Sequence, residues 1–402
     1  MRLVTMVMLL LTASAPVLAA GGGSAAGGAR CSVVGCQLLA GVVIAARHPQ
    51  PLVLASPDAV FRRGSESTLT GAVQQVDDNG VTIRSDLGAV HVVPWDRVRR
   101  VVTDNPDRDS MIARHMEHAA ALWRARSRVE RMDVTLAEPL FERLFEQYRG
   151  STHETALVTA EGLLRCRLAR GAHTLAIIPA LEVMRLRRAG VRTESYAALP
   201  PVYDEAMGLC PALAPVWFES PALRRVEQEL REYVAPGDEV TAAVAWLYAE
   251  SVRRALGVAD GPPPPGAWPE GEGVRLLIDL LACGEADSNR REKARDDLLR
   301  RESSLPGFAR AWARFHVGWS LLRESGVVRQ QRGMLSLLHV PAAHGSSQPY
   351  LAGIALSLVA GALEQSGSRE PAAMLRGELD ARFPFHPVRT ARPAPVTAPP
   401  RT

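Results

Sequence analysis

Lysine is all but missing from this chain. Lys293 is the only one among 402 residues, so the basic side chains are otherwise arginine. Arginine and lysine differ in chemistry, but a ratio this lopsided reads as genomic base composition, not as selection for phosphate forks. The formal net charge is only +4. That is far from the footprint of a nucleic-acid-binding chain of this length, so no nucleic-acid partner is expected.

Catalytic and cofactor motifs are missing too. No serine sits in a Gly-x-Ser-x-Gly elbow, and no phosphate loop or dinucleotide fingerprint appears. Asp279, Glu285, Asp287, Asp296 and Asp297 do not make a calcium loop; they alternate with Arg290, Arg291 and Arg295 as on a solvated helix. The five cysteines, at 31, 36, 166, 210 and 283, include no C-x-x-C pair, which removes zinc-ribbon and thioredoxin-type sites. An odd count leaves at least one thiol unpaired. Cys31 and Cys36 either bridge or stay as small residues, while Cys166 and Cys283 lie in apolar helical stretches. No cofactor and no metal are therefore expected.

Long apolar runs are also lacking. Leu3 to Leu11 falls short of the roughly 20 residues that a membrane span needs. With Arg2 before it and Val17-Leu18-Ala19-Ala20 after it, the run reads as a secretory signal over 1–20. The chain is accordingly expected to be exported, periplasmic or secreted, with no transmembrane span after cleavage. Ser32 to Ala46 is broken by Gly35, Gln37 and Gly41 and reads as strands.

What is present divides into segments. Residues 21–37 form a flexible leader rich in Gly, Ala and Ser. Residues 38–104 carry strand signals: Leu69 to Val76, the Asp77-Asp78-Asn79-Gly80 turn, Val81 and Ile83, the Asp86-Leu87-Gly88 turn, then Val90 to Val93. Trp95 to Val102 reads as a short turn into a last strand. Arg97, Arg99 and Arg100 read as a solvated edge and not an anion site, because no Gly-rich cradle or aromatic ring accompanies them. Asn105-Pro106-Asp107 then starts a helical region. Helices are predicted over 109–131, 134–148, 152–170, 173–189, 221–234, 238–256, 270–283, 288–302, 306–324, 327–338, 350–366 and 369–382. The segments are 105–200 and 267–387, both helical hairpins, with a proline-rich loop plus helices at 201–266 and a disordered tail at 388–402. Tyr203, Leu209, Leu213, Val216, Trp217 and Phe218 make the loop before Pro221 too apolar for a solvated linker.

Residues Gly353 to His386 carry the most informative pattern. Leu356, Val359, Ala360 and Leu363 share a helix face, Gly367 ends that helix, and Ala372, Leu375 and Leu379 continue into a second helix stopped by Pro384. The 34-residue span and the twelve residues from Ala372 to Pro384 resemble a tetratricopeptide repeat. Arg376 stands where an aromatic is preferred, as in a terminal, capping unit. A second match covers 118–151, with Ala125, Ala137, Phe141 and Leu144; a looser one covers 157–189, with Leu164, Gly171, Ala176 and Ala180. The small β segment resembles an Sm-like module, and the whole arrangement resembles exported bacterial proteins.

These resemblances imply a mainly α fold, an irregular α-solenoid of helical hairpins preceded by a small bent β-sheet or barrel. They imply an exported, non-catalytic scaffold holding a protein or peptide partner, in a groove whose exposed aromatics are Trp123, Tyr148, Trp312 and Trp319. Two alternatives stand beside it: an envelope hydrolase with its site in the 190–270 insertion, using Asp204 and Glu205, and a purely structural envelope protein. His115 and His118, three residues apart, read as a polar helix surface, since no third metal ligand is near in sequence.

Overall fold

A turn built on Asn79-Gly80 sets the first part of the structure. Asp77 Oδ1 accepts from the Asn79 amide at 2.8 Å, and Gly80 takes a φ of +143°. A side chain at Gly80 would drive its Cβ to 2.1 Å from the Val93 carbonyl oxygen, so only glycine lets the next strand approach. The strands are β1 (Asp58–Arg62), β2 (Thr68–Asp77), β3 (Gly80–Ser85), β4 (Val90–Val93) and β5 (Val98–Val102), with a single 3-10 turn (Trp95–Arg97) before the last. They form one antiparallel sheet in the order β4-β3-β2-β1-β5. Among the described residues β4 and β5 are both edges, so their sheet is open and not a closed barrel. Bulges at Val73/Gln75 and Phe61/Arg62 bend it.

The computed structural model describes residues 57–258 and 263–389. The segments expected to be a signal and a leader, Cys31 and Cys36, and the residues beyond Arg389 lie outside the described residues. The described residues belong to one unit, 55–402.

Twelve α-helices follow the sheet: α1 (Pro106–Glu130), α2 (Val134–Tyr148), α3 (Glu154–Ala169), α4 (His173–Arg188), α5 (Pro221–Arg231), α6 (Glu239–Leu256), α7 (Glu272–Ala282), α8 (Ser288–Arg301), α9 (Gly307–Leu322), α10 (Val327–Ala343), α11 (Pro349–Gln365) and α12 (Arg369–Arg382). Local chemistry explains many ends. Asn105 Oδ1 caps the Asp107 amide at 3.0 Å with Pro106 as the first helical residue, so α1 starts three residues before its predicted position. α11 ends in a Schellman motif: the Ser368 amide reaches the Leu363 carbonyl at 2.8 Å, the Gly367 amide reaches that of Glu364 at 3.0 Å, and Gly367 sits at φ +85°. No helix among the described residues is long and apolar enough to cross a membrane.

Two apolar cores share α1. Ile112 and Ala119 pack with Val60, Val81, Ile83, Trp95 and Val98 of the sheet region. Leu122, Ala125 and Val129 join a second core that runs on through the helices to Val359. The seam between them is polar. Buried Asp96 takes a hydrogen bond from Arg126 and another from Ser195 Oγ at 2.7 Å, and Trp95 Nε1 donates to the Asp77 carbonyl at 2.7 Å.

The loop before α5 is part of the helical core, with Leu213, Val216 and Trp217 no more than 2% exposed. A buried loop must satisfy its peptide groups, or each one costs about as much as a lost hydrogen bond. Tyrosine hydroxyls do this from two sides: Tyr248 of α6 donates to the Leu213 carbonyl at 2.7 Å, and Tyr350 of α11 to that of Val216 at 2.8 Å. Tyr350 also stacks on His173 of α4 with ring centroids 3.6 Å apart. The first and last residues of the 353–386 unit meet, since His386 lies where a Cβ on Gly353 would need to be.

Candidate functional site

The four aromatics expected to line a groove separate into two kinds. Trp312 is fully buried, its indole Nε1 3.3 Å from Gln348 Oε1 and its ring edge-on to Phe308. Tyr148 is 3% exposed. Neither ring is open to a partner, and both are corrected to packing residues. Trp123 and Trp319 are half-buried, and each walls a cleft. Trp312 and Trp319 share a helix face, but seven residues separate them by ~10 Å along the axis. Trp312 therefore meets α11, whereas Trp319 meets the gap between α6, α7 and the buried loop.

The Trp319 cleft holds about 540 Å³ of empty space, open solvent included, and is lined by Trp217, Ser251, Arg254, Cys283, His316 and Trp319 among others. Its polar groups are mostly spoken for. Trp217 Nε1 donates to Ser251 Oγ at 2.8 Å, Ser251 Oγ to the Tyr248 carbonyl at 2.7 Å, and Arg254 Nη1 to the Leu281 carbonyl at 2.7 Å. Ser320 Oγ donates to the Cys283 carbonyl at 2.7 Å and accepts from Arg295 Nη1 at 3.1 Å. Arg295 is buried and also bonds Glu324, so it does not sit on a solvated face as its sequence setting suggests. His316 is the exception: its Nε2 is buried and has no hydrogen-bond partner among the described residues. Burial lowers the imidazole to about 3, so it is neutral across the physiological range. Burial likewise pushes the Cys283 thiol up to about 12, which leaves it protonated and unreactive. Cys166 and Cys210 are also free and buried.

The second cleft is wider, about 600 Å³ with open solvent included. It is lined by Arg62, Arg63, Gly64, Ser65, Glu66, Arg99 and Trp123. The Arg63 guanidinium lies 5.8 Å and that of Arg126 4.7 Å from the Trp123 ring centroid. Burial lowers the Arg63 guanidinium below its ordinary value, and Arg124 and Arg99 lower it further.

His115 and His118 are half-buried on α1. His115 stacks on Trp95 with centroids 4.7 Å apart, and His118 Nδ1 lies 3.1 Å from Gln147 Nε2. The fold brings His153 and Tyr148 near them, which separation in sequence hides. His153 caps α3 through Nδ1, which accepts from the Ala156 amide at 3.2 Å; its Nε2 and the Tyr148 hydroxyl are buried without partners among the described residues. Among the described residues no group of three or more His, Cys, Asp or Glu side chains is placed to hold a metal ion.

Asp204 and Glu205 are not a facing pair. Asp204 Oδ1 closes its own turn on the Met207 amide at 2.9 Å, while exposed Glu205 lies 3.9 Å from Arg192. Neither lines either cleft. No family model matches the chain, and no match was found among curated proteins or solved structures.

Proposed function

We propose that the chain is an exported, non-catalytic scaffold that holds a protein or peptide partner, with the Trp319 cleft taking one apolar side chain of that partner. The observation that carries this reading is the unpartnered His316 Nε2 inside a cleft walled by Trp217 and Trp319. An apolar gap with one unmet hydrogen-bonding group suits a ligand that is mostly apolar with one polar atom. Leaving such a nitrogen unmet costs roughly 1–3 kcal/mol, which a matching ligand atom recovers.

The architectural part of the proposal is an irregular α-solenoid of degenerate tetratricopeptide-like hairpins, with the small sheet as an Sm-like module. In support, each helix packs on its sequence neighbours, and α1–α3, α4–α6, α7–α9 and α9–α11 also touch. Ala125, Ala137, Ala176 and Ala372 are fully buried at the small-residue positions of the repeat pattern. α12 buries only Ala372 and Leu379, while Arg376 turns outward to Glu364 with two 2.7 Å bonds. That polar outer face suits a terminal unit.

A displayed peptide library selected on the purified chain tests the reading. Enriched sequences should share one large apolar anchor, and Trp319→Ala should abolish their binding. A library that does not enrich, or one whose winners bind Trp319→Ala as well as the parent, removes it.

A further inference from the structure

The Trp123 cleft holds more positive charge than its surroundings neutralise. Arg62 and Arg63 stand at the end of β1, Arg99 and Arg100 on β5, and Arg124 on α1. The register of β1 on β5, with Phe61 opposite Arg100 and Arg62 opposite Val98, brings the first four together. Among the described residues none of these five makes an ion pair, whereas their neighbours Arg97 and Arg126 spend their charge on Glu194 and Asp96. The cluster is held by other means. Arg63 Nε donates to the Val98 carbonyl at 2.8 Å, and Arg62 donates to Ser67. The Arg99 and Arg100 guanidiniums lie 5.7 and 5.8 Å from the Phe61 ring centroid.

In sequence, the arginines of β5 lack the glycine turn and the aromatic ring that an anion site needs. The fold supplies both from elsewhere. Gly64, at φ +71°, places its missing Cβ 3.6 Å from Trp123 Cη2, and Trp123 and Phe61 back the guanidiniums. An apolar wall behind a charge keeps water back and strengthens its pull on an anion.

We propose that this cleft binds a phosphate group. Arg62, Arg63 and Arg99 line it, and Glu66, exposed and unpaired, is the one carboxylate among the lining residues, which leaves two positive charges uncompensated. A phosphomonoester carries about −1.5 to −2 near neutral pH, which matches that surplus, and guanidinium forks suit its oxygens. The cleft is open, so the rest of the ligand lies in solvent. The phosphate is either that of a soluble monoester or that of a lipid headgroup.

Isothermal titration of the purified chain with phenyl phosphate at low salt, and flotation with phosphatidylcholine vesicles with and without phosphatidic acid, test this. Binding should weaken as sodium chloride is added. Arg63→Gln should weaken it about tenfold, ~1.4 kcal/mol, while Arg84→Gln on β3 should leave it unchanged. Should Arg63→Gln fail to fold, the exposed Arg99→Gln carries the test. Titration with phenyl phosphate assigns a soluble ligand, and flotation on phosphatidic acid alone assigns a headgroup; either supports the site. The proposal is overturned by an absence of both heat and flotation, or by binding that persists in a folded Arg63→Gln/Arg99→Gln variant.

Discussion

Two tryptophans half-buried at the edges of clefts serve opposite electrostatics in this molecule. Trp319 closes an apolar gap over a neutral imidazole, deep in the helical core. Trp123 lies under guanidiniums where the sheet meets α1. The difference comes from what each ring was packed against. Trp319 faces helices whose polar groups are already bonded, so the one unmet group stands out. Trp123 faces two strand ends whose arginines form no ion pair among the described residues.

The contrast can be broken most forcefully at the apolar wall. Trp217 is 2% exposed, and Trp217→Ala should cost about 3–5 kcal/mol in denaturant unfolding. A loss below about 1 kcal/mol would mean the wall is not part of the core. Next comes the seam between the two cores. Asp96→Ala takes the buried counter-charge from Arg126, and removing one partner of such a pair costs about 3–5 kcal/mol when fully buried; a value near the lower end is expected, because Ser195 stays to accept from Arg126 at 3.1 Å and Glu130 stays 3.4 Å from its Nε.

The third test uses pH. Burial lowers His316 to about 3 and His173 to about 4, and lowers His153 as well. In the unfolded chain these groups titrate near their ordinary value of about 6.5. The unfolded state thus binds more protons between the two values. Their contribution is whole above about pH 6.5 and drains as pH falls toward 4 and below. His316→Phe should flatten that slope in thermal melts; an unchanged slope would show that His316 does not stay neutral in the folded chain. The smallest effect belongs to the cationic cleft. Arg63→Gln removes a like-charge repulsion and a half-buried side chain together, so stability should move by only about 0.5 kcal/mol either way. A larger loss would show Arg63 to be a structural brace.

Much of the helical half was legible. α2 and α12 begin and end where predicted, because the apolar spacing agrees with the stop at Gly150 after α2 and with Gly367 and Pro384 on either side of α12. α10 runs past its predicted end at 338; in the fold Val340 and Pro341 are buried, and packing carries the helix to Ala343. β1 escaped notice because Asp58–Arg62 shows no clean alternation and is defined by pairing on both sides. The apolar cleft was half legible: Trp319 was found by its spacing, but Trp217, Ser251 and Cys283 reach it from three other elements. The arginine cleft is not legible for a similar reason, since strand register, which one sequence does not display, puts Arg62 and Arg63 beside Arg99.

The tyrosine bonds to the buried loop have a consequence for how the chain unfolds. A linear helical array comes apart one unit at a time, because each unit touches only its neighbours. Here the Tyr350 hydroxyl and the Val216 carbonyl are 134 positions apart, and His173 stacks on the same ring. Joining such distant points must await closure of a long stretch of chain, which slows assembly. Once made, the joint ties the last helices to the middle of the molecule. The C-terminal hairpin should then melt together with α4 and α6, so that amide exchange reports a single cooperative block where a simple array would show a frayed end.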